Sequence, residues 1–293
     1  MKKTVDKFFY PIGENYENLG KRPFECGNDV PVFEISGLHA LIQLYGYAKF
    51  IFRDVGNVYL RGQETLYPRC LPSYFREYSQ TQPNRARTKF GNLKKALKEY
   101  RCFKSVPEYS IEPLIQHYGI KTTWLDVVDN IWIALWFGLN RFRQKKNTNY
   151  FSYLERDDVG SDGEPSFLYL LFFISDGILC DSSRPGLHKG KETTVVDIRK
   201  SCPSIFHRPH IQHALLMKSV ADCNLDDVDC MKYCVAVAKV RVSWARRWLG
   251  KSPAFSAEVL FPSPFEDSGL QHLADSDIDS LTKRRGLGII HYR

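Results

Sequence analysis

Residues 116–139 read QHYGIKTTWLDVVDNIWIALWFGL, and no other stretch of the 293-residue chain is as informative. Polar residues interrupt the apolar ones in an order that packing alone does not explain. His117 and Gly119 fall where an apolar helix should end, and Asp126 follows an apolar Trp-Leu pair. A carboxylate among apolar neighbours needs a hydrogen-bond partner, because burying an unpaired charge is costly. The stretch therefore predicts either a helix-capping carboxylate or the lining of a binding site.

Working outward from this stretch, the pattern predicts a short helix over 111–118 that Gly119 ends. A strand over 122–127 follows, and then an apolar helix over 129–144 that Asn130 opens. The inward-facing residues of that helix are predicted to be Ile131, Ala134, Leu135 and Leu139.

A second signal precedes this region, where a β-prone run over 57–61 ends in Arg61 and is followed by Gly62 and Gln63. A glycine at this point lets the backbone bend or a ligand approach closely. A surface hairpin would explain the Arg-Gly pair equally well.

Hydrophobic periodicity supplies the remaining elements. Further strands are predicted at 30–35, 167–174, 195–198, 211–218, 233–242 and 287–292. Further helices are predicted after Ser36 as N-cap, from Asn84 with Phe90, Leu93 and Leu97 facing the core, and near 267–283. Loops are predicted over 64–83, 151–165 and 179–191. Strands and helices do not alternate regularly, which favours an α+β fold over a doubly wound α/β fold.

The composition is that of a folded, soluble protein. Hydrophobic residues make up 43% of the chain and aromatic residues 14%, which is enough for a sizeable core and argues against disorder. No run approaches the roughly 18 apolar residues of a membrane span. The basic start of the chain has no apolar stretch behind it of signal-peptide length. We therefore expect a cytoplasmic protein with no membrane partner.

Eight cysteines are scattered without any Cys-x-x-Cys pair, which suits a reducing compartment. Cys230 and Cys234 lie near three histidines, but their spacing is poor for zinc. The residues around Cys234 instead predict a strand in which it is a small core residue. No metal site is predicted.

The formal net charge of +8 comes from clustered basic residues, and such surfaces attract polyanions. A solvated surface would explain any single cluster. Taken together, the clusters predict a surface that binds nucleic acid or another acidic macromolecule. The nucleic-acid-binding residues would be Arg85, Arg87, Lys94, Lys95, Lys98, Arg141 and Arg143.

Several common catalytic motifs are absent from the sequence. It contains neither Gly-x-Gly-x-x-Gly nor Gly-x-x-x-x-Gly-Lys-Ser/Thr, so a Rossmann dinucleotide site and a P-loop lack support. Gly-x-Ser-x-Gly and His-Glu-x-x-His are absent as well, which weakens ordinary hydrolase and metalloprotease interpretations.

Three motifs together resemble the FRG-domain family, which is named for an aromatic-Arg-Gly motif. The family has RGQ followed by Leu-Pro-Ser-Leu-x-Arg, then QHYGxPTRLLDWTxNPLxALYFA, then Arg-x-x-x-Gln. This chain has Arg61-Gly62-Gln63 with residues 71–76, then residues 116–139, then residues 208–212, so the resemblance covers roughly 57–220. It departs from the family at Lys121, Thr123, Val127, Ala214 and Leu216, where Pro, Arg, Trp, Gly and Phe are frequent.

FRG domains look like relatives of ADP-ribosyltransferases, whose split β-sheet holds NAD without a glycine fingerprint. The resemblance implies that fold here, with an N-terminal extension (1–56), a core (57–220) and a C-terminal part (221–293) completing one domain. The implied signature positions, expected on three strands, are Arg61, Thr122 (or Tyr118) and Gln212. Glu258 is a second candidate for the third position, Asp126 would orient Arg61 or activate the acceptor, and His117 is a possible base. The implied NAD-binding residues are Arg61, Gly62, Gln63, Tyr118, Thr123 and Trp124.

The resemblance implies an NAD-dependent ADP-ribosyltransferase, acting as a toxin or antiphage effector. Together with the basic surface it predicts a nucleic acid acceptor, RNA or DNA with RNA favoured. A toxin would have a neutralising antitoxin protein. Two alternatives are an inactive FRG module that binds nucleic acid or a partner protein, and an NAD glycohydrolase in which water replaces the acceptor.

Overall fold

A computed structural model describes residues 15–77, 83–144, 148, 150–179, 183–285, 287–288 and 290–291. The strands are β1 (Tyr16–Pro23), β2 (Asp29–Ile35), β3 (Asn57–Gln63), β4 (Leu125–Val128), β5 (Asn140–Gln144), β6 (Phe151–Glu155), β7 (Phe167–Ser175), β8 (Ile178–Leu179), β9 (Leu187–Lys189), β10 (Thr193–Asp197), β11 (Ala214–Ser219) and β12 (Cys234–Arg241). The helices are α1 (Leu38–Phe52), α2 (Ser73–Glu77), α3 (Pro83–Leu97), α4 (Glu108–Gln116), α5 (Ile131–Leu139), α6 (Ile198–Ser201), α7 (His207–Ile211), α8 (Leu225–Val228), α9 (Val242–Leu249), α10 (Ala257–Leu260), α11 (Ser268–Ala274) and α12 (Ile278–Arg284).

Within these residues, ten strands form one mixed sheet in the order β1-β2-β12-β7-β3-β4-β11-β10-β9-β8, and β5 and β6 form a separate hairpin. Among the described strands, only β2 and β12 pair in parallel. Strands and helices are both abundant without regular alternation, so the α+β prediction is confirmed. Strands β1 and β2, from the predicted N-terminal extension, belong to the same sheet as the rest.

The central strand β7 shows why its sequence is apolar throughout. Leu168, Leu170 and Phe172 pack into the core on one face of the sheet. Leu171 and Phe173 pack into a second core on the other face. Because successive side chains of a strand point to opposite faces, a strand buried on both sides needs an uninterrupted apolar run. The prediction of a buried strand at 167–174 is confirmed.

Helix α5 begins as the sequence predicts and ends earlier than predicted. The Asn130 side chain accepts hydrogen bonds from Trp132 N at 2.9 Å and Ile133 N at 3.3 Å, which satisfies two free amides of the first turn. The helix ends at Leu139, and residues 140–144 form β5 rather than its last turns. The prediction of a helix to 144 is wrong because pairing of β5 with β6 replaces the local helical pattern.

Gly62 lies where α5 packs directly against β3. A Cβ atom on Gly62 would lie 1.7 Å from the carbonyl oxygen of Ala134 and 2.8 Å from Gly138 N. Helix–strand packing therefore requires a glycine at this position. From the sequence alone, we expected the glycine to allow a backbone bend or the close approach of a ligand.

Predicted strands at 30–35, 195–198 and 233–242 are present with shifted ends, and β3 extends two residues beyond Arg61 to Gln63. The strand predicted over 122–127 is shorter, since β4 starts at Leu125. The strand predicted from 211 starts at 214, because residues 207–211 form α7. The loops predicted at 64–83, 151–165 and 179–191 contain α2, β6 and β9.

The predicted helix ends are partly correct. Gly119 has a φ of +102° and follows α4, as expected for a residue that ends a helix. Ser36 does not cap α1, whose N-cap is Gly37 without a side-chain bond. The predicted 267–283 helix is two helices, α11 and α12. For the strand predicted at 287–292, positions 289 and 292 lie outside the described residues, and the described positions are not in a strand.

No helix among the described residues has the length and apolar character needed to cross a membrane.

Candidate functional site

A cavity of about 830 Å³ lies beside the ends of β3 and β4. Its walls come from β3, α2, the turn after α4, α5, the β5–β6 hairpin, Gln212 and His291. The volume falls within the range of small-molecule sites in proteins. Its charged lining residues are Glu25, Arg61, Glu64, Arg69, Arg76, Lys121, Asp126, Arg141 and Arg208.

Arg61 and Asp126 meet because β3 and β4 are neighbours in the sheet. Arg61 Nη1 donates to the backbone oxygen of Asp126 at 2.8 Å and lies 3.8 Å from its carboxylate Oδ2. The Arg61 side chain is 19% exposed and that of Asp126 45% exposed, so the carboxylate is open to the cavity. Arg61 Nε is buried and has no partner among the described residues. The guanidinium is thus fixed at one edge and keeps donors for a ligand.

His117, in the turn after α4, is oriented by Gln212. Gln212 Nε2 donates to the Leu260 carbonyl oxygen at 2.7 Å, which leaves its Oε1 as an acceptor. That Oε1 lies 3.0 Å from His117 Nδ1, so Nδ1 carries the proton and Nε2 the lone pair in the neutral ring. Nε2 is 3.9 Å from Asp126 Oδ1 and has no hydrogen-bond partner in the described part of the chain.

Burial lowers the pKa of His117 below its usual value, because the enclosed ring disfavours the imidazolium. Asp126 and the hydrogen bond to Gln212 oppose this effect but do not reverse it. The ring is therefore neutral near pH 7 and can accept a proton at Nε2.

Arg208 lies beneath this turn and is fully buried. Its Nη1 donates to the His117 carbonyl oxygen at 3.2 Å and its Nη2 to the His291 carbonyl oxygen at 3.1 Å. The guanidinium also lies 5.0 Å from the ring centre of Tyr118. Arg208 therefore ties the His117 turn to His291, and desolvation lowers the pKa of Arg208.

His291 forms part of the cavity wall. His291 N donates to the Tyr118 carbonyl oxygen at 2.8 Å, and Lys121 N donates to the Leu287 carbonyl oxygen at 2.8 Å. A Cβ at Gly119 would lie 2.5 Å from the His291 ring, so the glycine makes room for it. Burial, with Arg208 next, lowers the pKa of His291 to about 4.

We expect the free energy of unfolding to fall as the pH drops from about 6.5 towards 4. The unfolded chain binds a proton at His291 near pH 6.5, whereas the folded chain does so only near pH 4. The contribution of His291 to the free energy of unfolding is therefore fully present above pH 6.5 and is lost as the pH falls to about 4. Allowing for the partial exposure of His291, this loss is about 2 kcal/mol. Urea denaturation between pH 4 and 8 measures it. His291→Phe, which keeps the ring stacked on Phe142, should have a shallower pH dependence; an unchanged slope would contradict the assignment.

Aromatic rings form the cavity wall opposite the sheet edge. Tyr153 stacks on Phe261 with ring centres 4.7 Å apart, and Phe142 stacks on His291 at 5.5 Å. Phe137 and Phe151 complete this wall. It offers flat apolar surface to a ring of a ligand.

The structure brings together some of the predicted site residues. Those that line the cavity are Arg61, Gly62, Gln63, His117, Asp126, Arg141 and Gln212. We expected the three signature positions, Arg61, Thr122 and Gln212, to lie on three strands. This is wrong in part, because of the three only Arg61 lies on a strand. Thr122 precedes β4, and Gln212 follows α7.

The other predicted site residues lie outside the cavity lining. Thr122 is fully buried, bonded to Gln116 and Ser73. Thr123 donates to Glu112 Oε1 through its amide at 2.9 Å and its hydroxyl at 2.7 Å.

The two predicted stacking residues are part of the protein core. Tyr118 is fully buried and donates its hydroxyl to Asp267 at 2.9 Å. Trp124 is buried beneath Lys218 Nζ, 4.6 Å from the ring centre. Glu258, on α10, is exposed and does not line the cavity.

The predicted nucleic-acid-binding residues lie on and after α3 and on β5. Arg85, Lys95 and Arg143 are exposed. The other four have protein partners: Arg87 pairs with Asp222, Lys94 with Glu108, Arg141 with Glu64, and Lys98 with the Lys104 and Val106 carbonyl oxygens. The predicted basic helix is therefore present as α3, but several of its basic side chains already have protein partners.

No role was predicted for five residues that line the cavity: Arg76, Arg208, Tyr153, Phe261 and His291. Arg76 and Arg208 both lay inside the quoted motifs, which was a usable signal. Nothing in the local pattern pointed to the other three.

Cys230 and Cys234 are both fully buried, and Cys234 lies in β12 as a core residue, as predicted. Among the described residues, no group of three or more His, Cys, Asp or Glu side chains is placed to bind a metal ion.

Comparison with known proteins identifies a family that matches part of the chain. Residues 56–147 match the model of the FRG domain family. This supports the FRG-domain assignment, and the matched segment holds Arg61, His117 and Asp126, whereas Gln212 and Arg208 lie beyond it. No curated protein and no solved structure matched the chain.

Proposed function

We propose that the chain is an NAD-dependent ADP-ribosyltransferase whose reaction takes place at the His117 end of the cavity. The observation that supports this most is the unpartnered Nε2 of a buried, neutral histidine, 3.9 Å from an open carboxylate and beside a partly free arginine. Perturbed titratable groups that converge in a cavity are typical of catalytic sites. The aromatic wall and the basic lining suit a dinucleotide. An ADP-ribosyltransferase-like split sheet is part of this proposal.

Each group has a chemical role in the proposed reaction. The bond between ribose C1′ and the nicotinamide nitrogen breaks, and its electron pair leaves with nicotinamide. The acceptor nucleophile bonds to C1′, and His117 Nε2 takes up the proton that it loses. Asp126 stabilises the positive charge that develops at C1′, as carboxylates do in glycoside cleavage.

Arg61 and Gln212 support that chemistry in different ways. Arg61 would bind a ribose hydroxyl or a phosphate oxygen through its free donors. Both polar ends of Gln212 are already bonded, one to His117 and one to Leu260, so it acts as a positioning residue.

Adenylate-labelled NAD, incubated with the full chain and separate pools of RNA, DNA and protein, tests the proposal. We expect label in a nucleic acid pool, RNA before DNA, because basic residues surround the cavity mouth and α3. Arg61→Ala should reduce labelling by about 10²-fold or more, and Arg53→Ala, an exposed arginine outside the cavity lining, should not.

The other outcomes of that experiment identify the alternatives. Free ADP-ribose without a labelled macromolecule would mark an NAD glycohydrolase. Unchanged labelling in Arg61→Ala would remove the proposed site. Neither label nor NAD loss, with salt-sensitive binding to nucleic acid, would mark a binding module.

The resemblance to FRG domains also carries the proposal of a cytoplasmic toxin or antiphage effector with a neutralising antitoxin protein. Its test is growth: expression of the chain should slow host growth, and Arg61→Ala should relieve the effect. Equal growth inhibition by both forms would contradict a toxic activity at this site.

A further inference from the structure

Phe142 is an aromatic residue of the cavity wall that remains open to solvent. It lines the cavity and is 41% exposed, so it lies where the cavity opens to the surface. The reaction proposed at the His117 end gives it no role. A single exposed apolar residue is common on protein surfaces and does not by itself mark a site. The arrangement of the rings around Phe142 distinguishes it from such a residue.

The ring of Phe142 is covered from one side. Its centre lies 5.5 Å from the centre of His291, with the two rings inclined by only 25°, and 5.5 Å from the centre of Phe151. The His291 and Phe151 centres are 5.7 Å apart. Because the three centres form a nearly equilateral triangle, His291 and Phe151 lie on the same side of Phe142. The exposed part of the ring is therefore on the opposite side, at the mouth of the cavity.

The β5–β6 hairpin holds this ring in place. Phe142 is opposite Tyr153 in the hairpin, and their ring centres are 5.6 Å apart. At the base of the hairpin, Asn140 Nδ2 donates to the Trp136 carbonyl oxygen at 2.9 Å, which attaches β5 to α5. A ligand ring that stacks on Phe142 would meet a surface that is already ordered, which lowers the entropic cost of binding.

The residues next to Phe142 in the chain are both basic. Arg143 is exposed, and the Arg141 side chain is 47% exposed with its Nε 2.7 Å from Glu64 Oε2. An open aromatic face flanked by arginines suits a ligand that has both flat rings and negative charge. A single-stranded nucleic acid has both, since its unpaired bases stack on aromatic side chains while its phosphates attract arginine. The bases of a duplex are stacked on one another and do not offer a free face.

We propose that the open side of Phe142 is a stacking site for an unpaired base of a single-stranded nucleic acid. The inference rests on the proposed function, because it names the acceptor as single-stranded and places it at the mouth of the reaction cavity. The adjoining nucleotide would then extend towards His117. Stacking on an aromatic ring is tolerant of sequence, so the site selects single strands and not a particular base.

Fluorescence anisotropy of the full chain without NAD tests the site independently of turnover. The probes are a labelled single-stranded RNA of about ten nucleotides, the DNA of the same sequence, and the RNA duplex. We expect Phe142→Leu, which keeps the apolar bulk but not the flat ring, to weaken single-strand binding about tenfold. Phe142→Trp should bind single strands at least as tightly as the wild type. Duplex binding should be the same in both variants as in the wild type.

Phe50→Leu is the matched control. Phe50 is 61% exposed and has the Arg53 guanidinium 4.3 Å from its ring centre, but it does not line the cavity. Its replacement should leave single-strand binding unchanged, and melting temperatures confirm that each variant is folded. Wild-type single-strand affinity in Phe142→Leu, or equal weakening of single-strand and duplex binding, would overturn the stacking site. So would a higher KM for NAD with unchanged RNA binding, because it would assign the ring to the dinucleotide.

The same variants separate this inference from the proposed function. Single-strand binding that depends on Phe142, without transfer of label from NAD, would keep the stacking site and remove the transferase. Transfer of label to RNA with wild-type KM for RNA in Phe142→Leu would keep the transferase and remove the stacking site. Equal affinity for the RNA and DNA strands, lost together in Phe142→Leu, would support the stacking site and remove the preference for RNA.

Discussion

Gly62→Ala is expected to lower the free energy of unfolding by on the order of 4 kcal/mol. The new Cβ would lie 1.7 Å from the Ala134 carbonyl oxygen, and both Ala134 and Gly138 present backbone atoms that cannot rotate away. Helix α5 would have to move off β3, which would also displace Arg61. Urea denaturation followed by circular dichroism measures the change.

Gly46→Ala is the matched control, because Gly46 lies within α1 and a Cβ there would meet no atom within 4 Å. This variant should be more stable than the wild type by about 0.5–1 kcal/mol, since alanine is the better helix former. A Gly62→Ala protein within 1 kcal/mol of the wild type would show that α5 does not pack against β3 as described.

His117→Asn is expected to reduce transfer by roughly 10²–10⁴-fold while the protein remains folded. Asparagine has no basic nitrogen, so the proton lost by the acceptor has no place to go at Nε2. Initial rates of labelled-NAD transfer measure the loss, with His272→Asn, an exposed histidine, as the control. Wild-type rates in His117→Asn would exclude it as the base.

Gln212→Glu gives a signature that a purely structural role would not produce. A carboxylate in place of the amide, 3.0 Å from His117 Nδ1, stabilises the imidazolium and raises the pKa of His117. Transfer requires the neutral ring. The pH at which the rate falls on the acidic side of the pH–rate profile should therefore increase by roughly one pH unit or more. Gln212→Met should not move it upward. If the wild type and Gln212→Glu lose activity at the same acidic pH, Gln212 does not influence the pKa of His117.

The site was predictable where a motif was local and not where a role depended on packing. Arg61, His117 and Asp126 lie in short motifs whose polar residues interrupt apolar runs, and all three line the cavity. Thr122 lies in the same stretch, yet it is fully buried and bonded to Ser73, 49 residues away. Local sequence indicates that a polar residue needs a partner, but it does not identify that partner.

The sequence by itself determined the α+β class, the buried strand β7, the Asn130 cap and the helix end before Gly119. Each of these depends on neighbours within a few residues, because periodicity, caps and glycine conformations are local properties. Only the tertiary structure decided that Gln212 orients His117 across 95 residues of chain and that Arg208 binds His291 across 83. Tertiary structure also decided that residues 140–144 form part of the β5–β6 hairpin and not the end of a helix, and that α5 packs against Gly62. These contacts arise when distant segments share one sheet and its two cores, and pairing at such separations leaves no periodic trace in the sequence.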